Sequence, residues 1–450
     1  MTKRPDIFLL AMTVLCAANF SFADTTAFVN VNVVPMSTET VLEKQTVIVE
    51  NGLITLIGSV DQVRIPEEAH AVDGTDRFLM PGLAEMHAHV PDTQSSELDR
   101  YFNLFVANGV TTIRGMLGRP SHLELRRQLR DGEVFGPRLI TSGPSLNGRS
   151  VSGEADARRQ VREQAAAGYD FIKVHPGLSG EEFKALAETA NELGIPFAGH
   201  VPVAAGLDTA LRLNMATIDH LDGYLVALLP PDSYESGGYG GFFDVLLAAD
   251  LEADKIDEVA AATAAAGTWN VPTQVLIEQR VDATPVEELR LRPEMKYMPA
   301  ETVDSWVAAK NGQLAERGFD AETAALAIKL RRSLILALHE AGAGLLLGSD
   351  APQVFNVPGF SLHRELDVLV QSGLTPYEAL STGTTAVAEF LGTNTGTVEA
   401  GKSADLLLLD ANPLEDIRNS HRIHGVMLRG EWLSATRLDE MISAYATGLP

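Results

Sequence analysis

Apolar strand-like segments alternate with helical ones eight times between residues 81 and 395, and short alternating segments recur on both sides of that stretch. Together these two observations predict an α/β protein: a TIM-like (β/α)8 barrel inserted into a small β-sandwich domain built by both chain ends. Of the 450 residues, 45% are hydrophobic and 21% charged, the make-up of an ordinary folded globular protein, so disorder, collagen and coiled coil fall away.

The elements follow in chain order. Lys3 and Arg4 precede an apolar run from Ile7 to Ala18, and Ser21-Phe22-Ala23 closes it with a small-x-small pattern. This predicts a secretory signal peptide over 1–23 and a secreted or periplasmic location, with no stable membrane insertion once the signal is cut. The only cysteine, Cys16, lies inside that segment, so the chain from Asp24 onward has no thiol for catalysis, disulfides or zinc. Residues 24–80 alternate in strand fashion, with Asn51-Gly52 between two apolar runs marking a hairpin. The same character returns at 396–436, and pairing of the two ends makes a sheet large enough to be stable. Barrel strands are expected at 83–90, 110–114, 137–142, 169–175, 195–201, 216–221, 268–276 and 344–349. Helical periodicity fills the gaps, as at 152–167, 180–193, 203–213, 243–266, 320–341 and 375–391. A doubly wound open sheet is the competing architecture. Leu229–Gly241, rich in Pro and Gly, and 278–317 exceed what a barrel needs and are candidate lids; residues 437–450 form a C-terminal tail.

Lys and Arg total 35 against 60 Asp and Glu, a net charge of −25 that repels phosphate backbones and anionic lipid, which argues against nucleic acid as a partner.

Chemistry concentrates at strand ends. His87 and His89 are two apart in a strand, so their side chains share a face and can grip one metal ion. Lys173 interrupts an apolar strand where a bare ammonium is costly; His200, His220 and Asp350 close the fifth, sixth and eighth strands. In a barrel these ends converge. Each residue has a plainer alternative: Lys173 paired with Asp170 or Glu192, a hydrogen-bonded core role for His200 or His220, and Asp350 capping Ala351-Pro352.

On these six positions, and on Gly396-Thr397-Val398 through Ala404-Asp405-Leu406, the sequence resembles the binuclear-metal branch of the amidohydrolase superfamily, and within it the secreted prolidase-like and imidazolonepropionase-related amidohydrolases. The resemblance implies that His87, His89 and Asp350 hold one divalent ion, His200 and His220 a second, and Lys173 bridges them as a carbamate made from carbon dioxide. Zinc is the expected metal. A hydroxide shared by the two ions would attack an amide carbonyl, with Asp350 as general base and then acid. The implied substrate is a dipeptide or an N-acyl amino acid, and assembly with further copies of the chain stays open. Tyr224 is a candidate oxyanion donor, His363 and Arg114 candidate substrate contacts, and Arg280, Arg290, Arg292 and Lys296 possible carboxylate binders. His175, alternating to the other face from Lys173, is read as supporting or structural.

Three other functions compete. A mononuclear-zinc deaminase of the same superfamily would carry Glu where Val203 stands and would lack Lys173. Lactone or phosphotriester hydrolysis uses the same two-metal chemistry on another electrophile. A periplasmic binding protein on an inactive barrel would lack a ligand type, and none of the six is missing.

Overall fold

The computed structural model describes residues 25–230 and 240–447; the signal segment and residues 231–239 of the first candidate lid lie outside them. Five strands open the chain: β1 (Thr25–Val33), β2 (Leu42–Glu50), β3 (Leu53–Ser59), β4 (His70–Asp73) and β5 (Phe78–Pro81). Seven alternate with helices, β6 (Leu83–Ala88), β7 (Val110–Gly115), β8 (Arg138–Thr141), β9 (Ile172–Val174), β10 (Phe197–Gly199), β11 (Thr217–Asp219) and β12 (Trp269–Val271). Three follow near the end, β13 (Leu406–Leu409), β14 (Ile423–Leu428) and β15 (Glu431–Ser434).

The two chain ends do meet. β13 pairs antiparallel with β5, Leu406 opposite Pro81 and Leu409 opposite Phe78, so strands from both ends join in the order β15-β14-β13-β5-β1-β2-β3, with β4 against β1. Hydrogen bonding links all eight strands in one continuous ladder. The reason lies in β1: its first half pairs with β4, its last residues with β5, and register shifts between Phe28, Val31 and Val33 bend it between the two partners. The Asn51-Gly52 hairpin forms as expected, both residues having positive φ (54° and 74°).

The seven middle strands form two parallel sheets, β6-β7-β8 and β9-β10-β11-β12. Single parallel bridges extend them, Ser142 with Phe171, Asn270 with Leu345 and Ala88 with Ala351. The expected eighth strand, 344–349, is irregular among the described residues. Leu346 N–H donates to Asn270 and Leu347 O accepts from Met86, but Leu347 N–H donates to Thr382, off the strand ladder.

Helices cover the faces. Gly180–Leu193 starts with a reciprocal cap between Ser179 and Glu182, and Pro376–Thr382 with one between Thr375 and Glu378. The helix expected over 375–391 is two, broken at Gly383, where a Cβ would lie 2.6 Å from Leu347 Cδ2; the close approach of the eighth segment requires the glycine. That expected over 243–266 is also divided, into 3-10 turns and the helix Ile256–Ala266, because Phe243 and Asp244 take left-handed conformations. The second candidate lid is helical, and Leu276, Leu289, Met295, Val303 and Trp306 pack in a cluster of their own with Phe355. The expected tail is helical over Ala435–Ser443 and tied down, with Tyr445 Oη accepting from Asn103 at 2.8 Å.

Candidate metal centre

All six sequence-predicted ligands converge at the C-terminal ends of the parallel strands. His87 lies in β6 and His89 just past it; Lys173 lies in β9; His200 and His220 follow β10 and β11; Asp350 follows the eighth segment. His89 Nε2 stands 2.8 Å from Asp350 Oδ1, and His87 Nε2 stands 3.7 Å from the same oxygen. The His220 ring is 4.4 Å from His87 and 4.8 Å from His200, centroid to centroid. The donor atoms of His87, His220 and Asp350 all fall within 4.8 Å of one another. This compact trio cuts across the division that the resemblance implies, since it draws one histidine from each expected pair.

Local backbone fixes these positions. His220, Thr273 and Asp350 adopt left-handed conformations (φ 64°, 45° and 61°), which cost non-glycine residues free energy and persist where the surrounding structure holds them. Gly199 has φ +122°, and a Cβ there would lie 2.4 Å from Val174 O and 2.9 Å from Lys173 Nζ, so the lysine reaches the centre because position 199 is bare.

The imidazoles are oriented from behind. Nδ1 of His87 faces Asp219 Oδ2 at 3.0 Å, Nδ1 of His200 faces Asp222 Oδ2 at 3.0 Å, and Nδ1 of His220 faces Thr273 Oγ1 at 2.7 Å. In each ring that engagement leaves Nε2 as the free donor, as in metal-binding histidines steered by a second polar group. Burial holds His87 and His220 well below the usual histidine range, so both rings are neutral and able to ligate. Asp350 is buried too, yet His87 and His89 outweigh that and bring its carboxyl down to about 2. Beneath them Glu85, fully buried, accepts from Ser349 Oγ at 2.5 Å and from the Ser349 and His87 N–H groups, while burial pushes it up to about 8.

Asp219 is the residue that sequence reasoning missed. Besides His87 it faces Lys173 Nζ at 3.5 Å and accepts from Arg114 at 3.2 Å and from Thr217 Oγ1 at 2.9 Å. The signal was available: Thr217 and Asp219 alternate in an apolar strand, so both point to one face.

The fit to metal can be judged on four buried atoms. His87 Nδ1, Lys173 Nζ, Asp219 Oδ2 and Asp350 Oδ1 are shut off from solvent, and their protein neighbours, Asp219 for His87 and Lys173 and His89 for Asp350, stand close without aligned hydrogen bonds. Such orphans are expensive unless something outside the chain satisfies them. A set of imidazole nitrogens with carboxylate oxygen suits a borderline cation such as zinc.

Three further predicted contacts are placed elsewhere. Tyr224 is fully buried, its hydroxyl donating to Asn270 Oδ1 at 2.8 Å and 3.1 Å from Thr263 Oγ1, which commits it to packing between helix and strand instead of to an oxyanion. His363 spends both ring nitrogens on Ser420 Oγ and Asn108 O. Arg114 is buried between strands, donating to Met86 O, Thr217 Oγ1 and Asp219, so it braces the centre from within and is shut off from substrate. His175 does stack on His200, at 5.0 Å. A cavity of about 360 Å³ is lined by Val201, Val203, Leu207, Val226, Asp222 and Asp244, and none of the six metal-capable residues lines it.

Buried, metal-capable side chains gathered at one end of parallel strands define a class, the metal-binding hydrolases. Comparison with known proteins narrows it: the chain belongs to the amidohydrolase family, whose model matches residues 78–433, and it is a hydrolase acting on carbon–nitrogen bonds. It is 22% identical to ochratoxinase of Aspergillus niger, over 84% of this chain and 79% of that one. Among solved structures it is similar to a bottromycin amidohydrolase (TM-score 0.72, 25% identity, 94% of this chain and 90% of that one). A putative prolidase from Bifidobacterium longum shares the fold (TM-score 0.67, 24% identity, 94% and 99% covered).

Proposed function

We propose that the chain is a secreted or periplasmic amidohydrolase that cleaves the amide bond of a dipeptide or an N-acyl amino acid with two divalent ions, zinc by preference. One observation carries the reading: six metal-capable side chains from five strand ends meet around buried polar atoms that make no aligned hydrogen bond within the protein. His87, His89, His200, His220 and Asp350 would hold the ions. Lys173 would join them as a carbamate, and its surroundings favour that modification. Its Nζ is buried without a hydrogen bond, and burial lowers its pKa toward the neutral amine that reacts with carbon dioxide. The bridges between the two parallel sheets and the eighth segment fit a closed (β/α)8 barrel over 81–395, with 24–80 and 396–436 as the small end domain.

When bound, the two ions lower the pKa of water and polarise the scissile carbonyl. Asp350 supplies the proton traffic: held ionised by His87 and His89, its carboxylate takes a proton from the attacking water and returns it to the leaving nitrogen. Asp219, itself held by Arg114, keeps His87 and Lys173 in place.

Elemental analysis of protein produced with zinc and bicarbonate, followed by a hydrolysis screen of dipeptides and N-acyl amino acids, tests the proposal. Two ions per chain and turnover of at least one member are expected. One ion would restore the deaminase reading; no ion would bring forward the binding protein.

A further inference from the structure

Arg280 lies on the helix Gln274–Val281, which leaves the C-terminal end of β12 immediately after Thr273, the residue that orients His220. Among the described residues it is the only partly buried arginine that makes neither a hydrogen bond nor an ion pair. Its Nε is sealed from solvent with no partner, while its terminal nitrogens stay open. The guanidinium rests 4.3 Å above the ring of Phe242. Phe242 meets Phe243 edge to face at 4.7 Å, and Phe243 in turn covers His220 at 4.8 Å and His200 at 5.9 Å. Two aromatic rings therefore connect this cation to the metal-capable histidines.

A chain with 60 acidic residues has no shortage of partners for an arginine, and Arg127, on the surface, alone gathers Glu124, Asp131 and Glu133. A half-buried guanidinium whose open nitrogens face no carboxylate among the described residues is left able to pair with an anion arriving from outside. The guanidinium is a planar fork that matches a carboxylate with two parallel hydrogen bonds, and the ring beneath it fixes its plane.

We propose that Arg280 is the receptor for a free carboxylate on the substrate, which makes it the residue that selects N-acyl amino acids and dipeptides over amides lacking that anion. The inference rests on the amide-hydrolysis reading and adds a specificity determinant to it. The carboxylate next to the leaving nitrogen docks on Arg280, Phe242 and Phe243 form the floor between, and the scissile carbonyl is presented to the His200–His220 side of the centre.

The test compares wild type with Arg280→Ala, Arg280→Gln and Arg280→Lys in the metal-loaded, full-length mature protein. The substrates are N-acyl amino acids and their C-terminal carboxamides, as matched pairs. For the free acids, Arg280→Ala and Arg280→Gln should raise KM about 10- to 100-fold with kcat changed by less than about threefold, and Arg280→Lys should recover part of the loss. Constants for the carboxamides should not move. Equal losses on acid and carboxamide, or an unchanged KM for the acids, would overturn the assignment.

Should the wild type cleave nothing in the panel, calorimetry with the same N-acyl amino acids separates the two ideas. Binding that weakens in Arg280→Gln would keep the receptor and discard the hydrolytic reading of its ligand; binding indifferent to position 280, or none, would discard the receptor.

Discussion

At the C-terminal ends of the parallel strands, histidines, carboxylates and a lysine are buried with atoms that make no aligned hydrogen bond; in the sheet that joins the chain ends, buried side chains are mostly carbon. Phe28, Val33, Val47, Leu79, Leu406 and Leu408 fill one face of that sheet and ask nothing of any ligand. The sheet gains from every contact already made, whereas the strand ends hold polar groups whose burial is compensated only when something binds. Stability and function therefore occupy separate parts of the molecule, and substitutions should distinguish them.

The largest effect is expected where the orphans are. Lys173→Ala and Asp350→Asn should each lower kcat by at least about two orders of magnitude with the fold intact by circular dichroism, because on the proposed function each removes a metal-bridging or proton-carrying group. Near-normal turnover in either variant would erase the contrast. A smaller loss is expected one layer back: Asp219→Asn should weaken metal affinity about 10- to 100-fold, as read by competition with a chelator, since it orients His87 and faces Lys173. In the other region, Leu408→Ala should reduce unfolding free energy by about 2–5 kcal/mol in denaturant titration and leave kcat of the surviving folded enzyme unchanged. A fall in kcat would mean that the end sheet positions the centre. Smallest of all, Arg127→Ala should alter neither turnover nor the thermal midpoint beyond error, because its ion pairs are exposed and screened.

Metal-capable residues were legible in the sequence because strand alternation and strand-end position suffice to bring them together without knowledge of packing. Asp219 was not singled out although its alternation with Thr217 carried the signal; the left-handed conformation of the next residue, His220, goes with both residues facing the centre. Tyr224, His363 and Arg114 were placed near the site by sequence distance alone. Their roles depend on which way a helix or strand faces, and that is decided by partners such as Asn270, Ser420 and Met86, far away in sequence. Six of the seven middle strands lie within about three residues of their expected positions; the seventh, expected to run to 276, ends at Val271 and gives way to a helix from Gln274. The eighth was not regular, because Leu347 turns its N–H toward Thr382. The joining of the ends was also legible, but not the way β1 divides its pairing between β4 and β5.

The pairing of β5 with β13 has a consequence for how the molecule is made. Leu406 finds Pro81 only after all the intervening chain has left the ribosome or crossed a membrane, and closing so long a loop is entropically slow. Until then β5 waits as an open edge, able to recruit strands of other molecules. A chain cut short before residue 406 would keep every residue of the metal centre and still lack the strand that covers that edge, so its expected fate is aggregation instead of an enzyme with reduced activity.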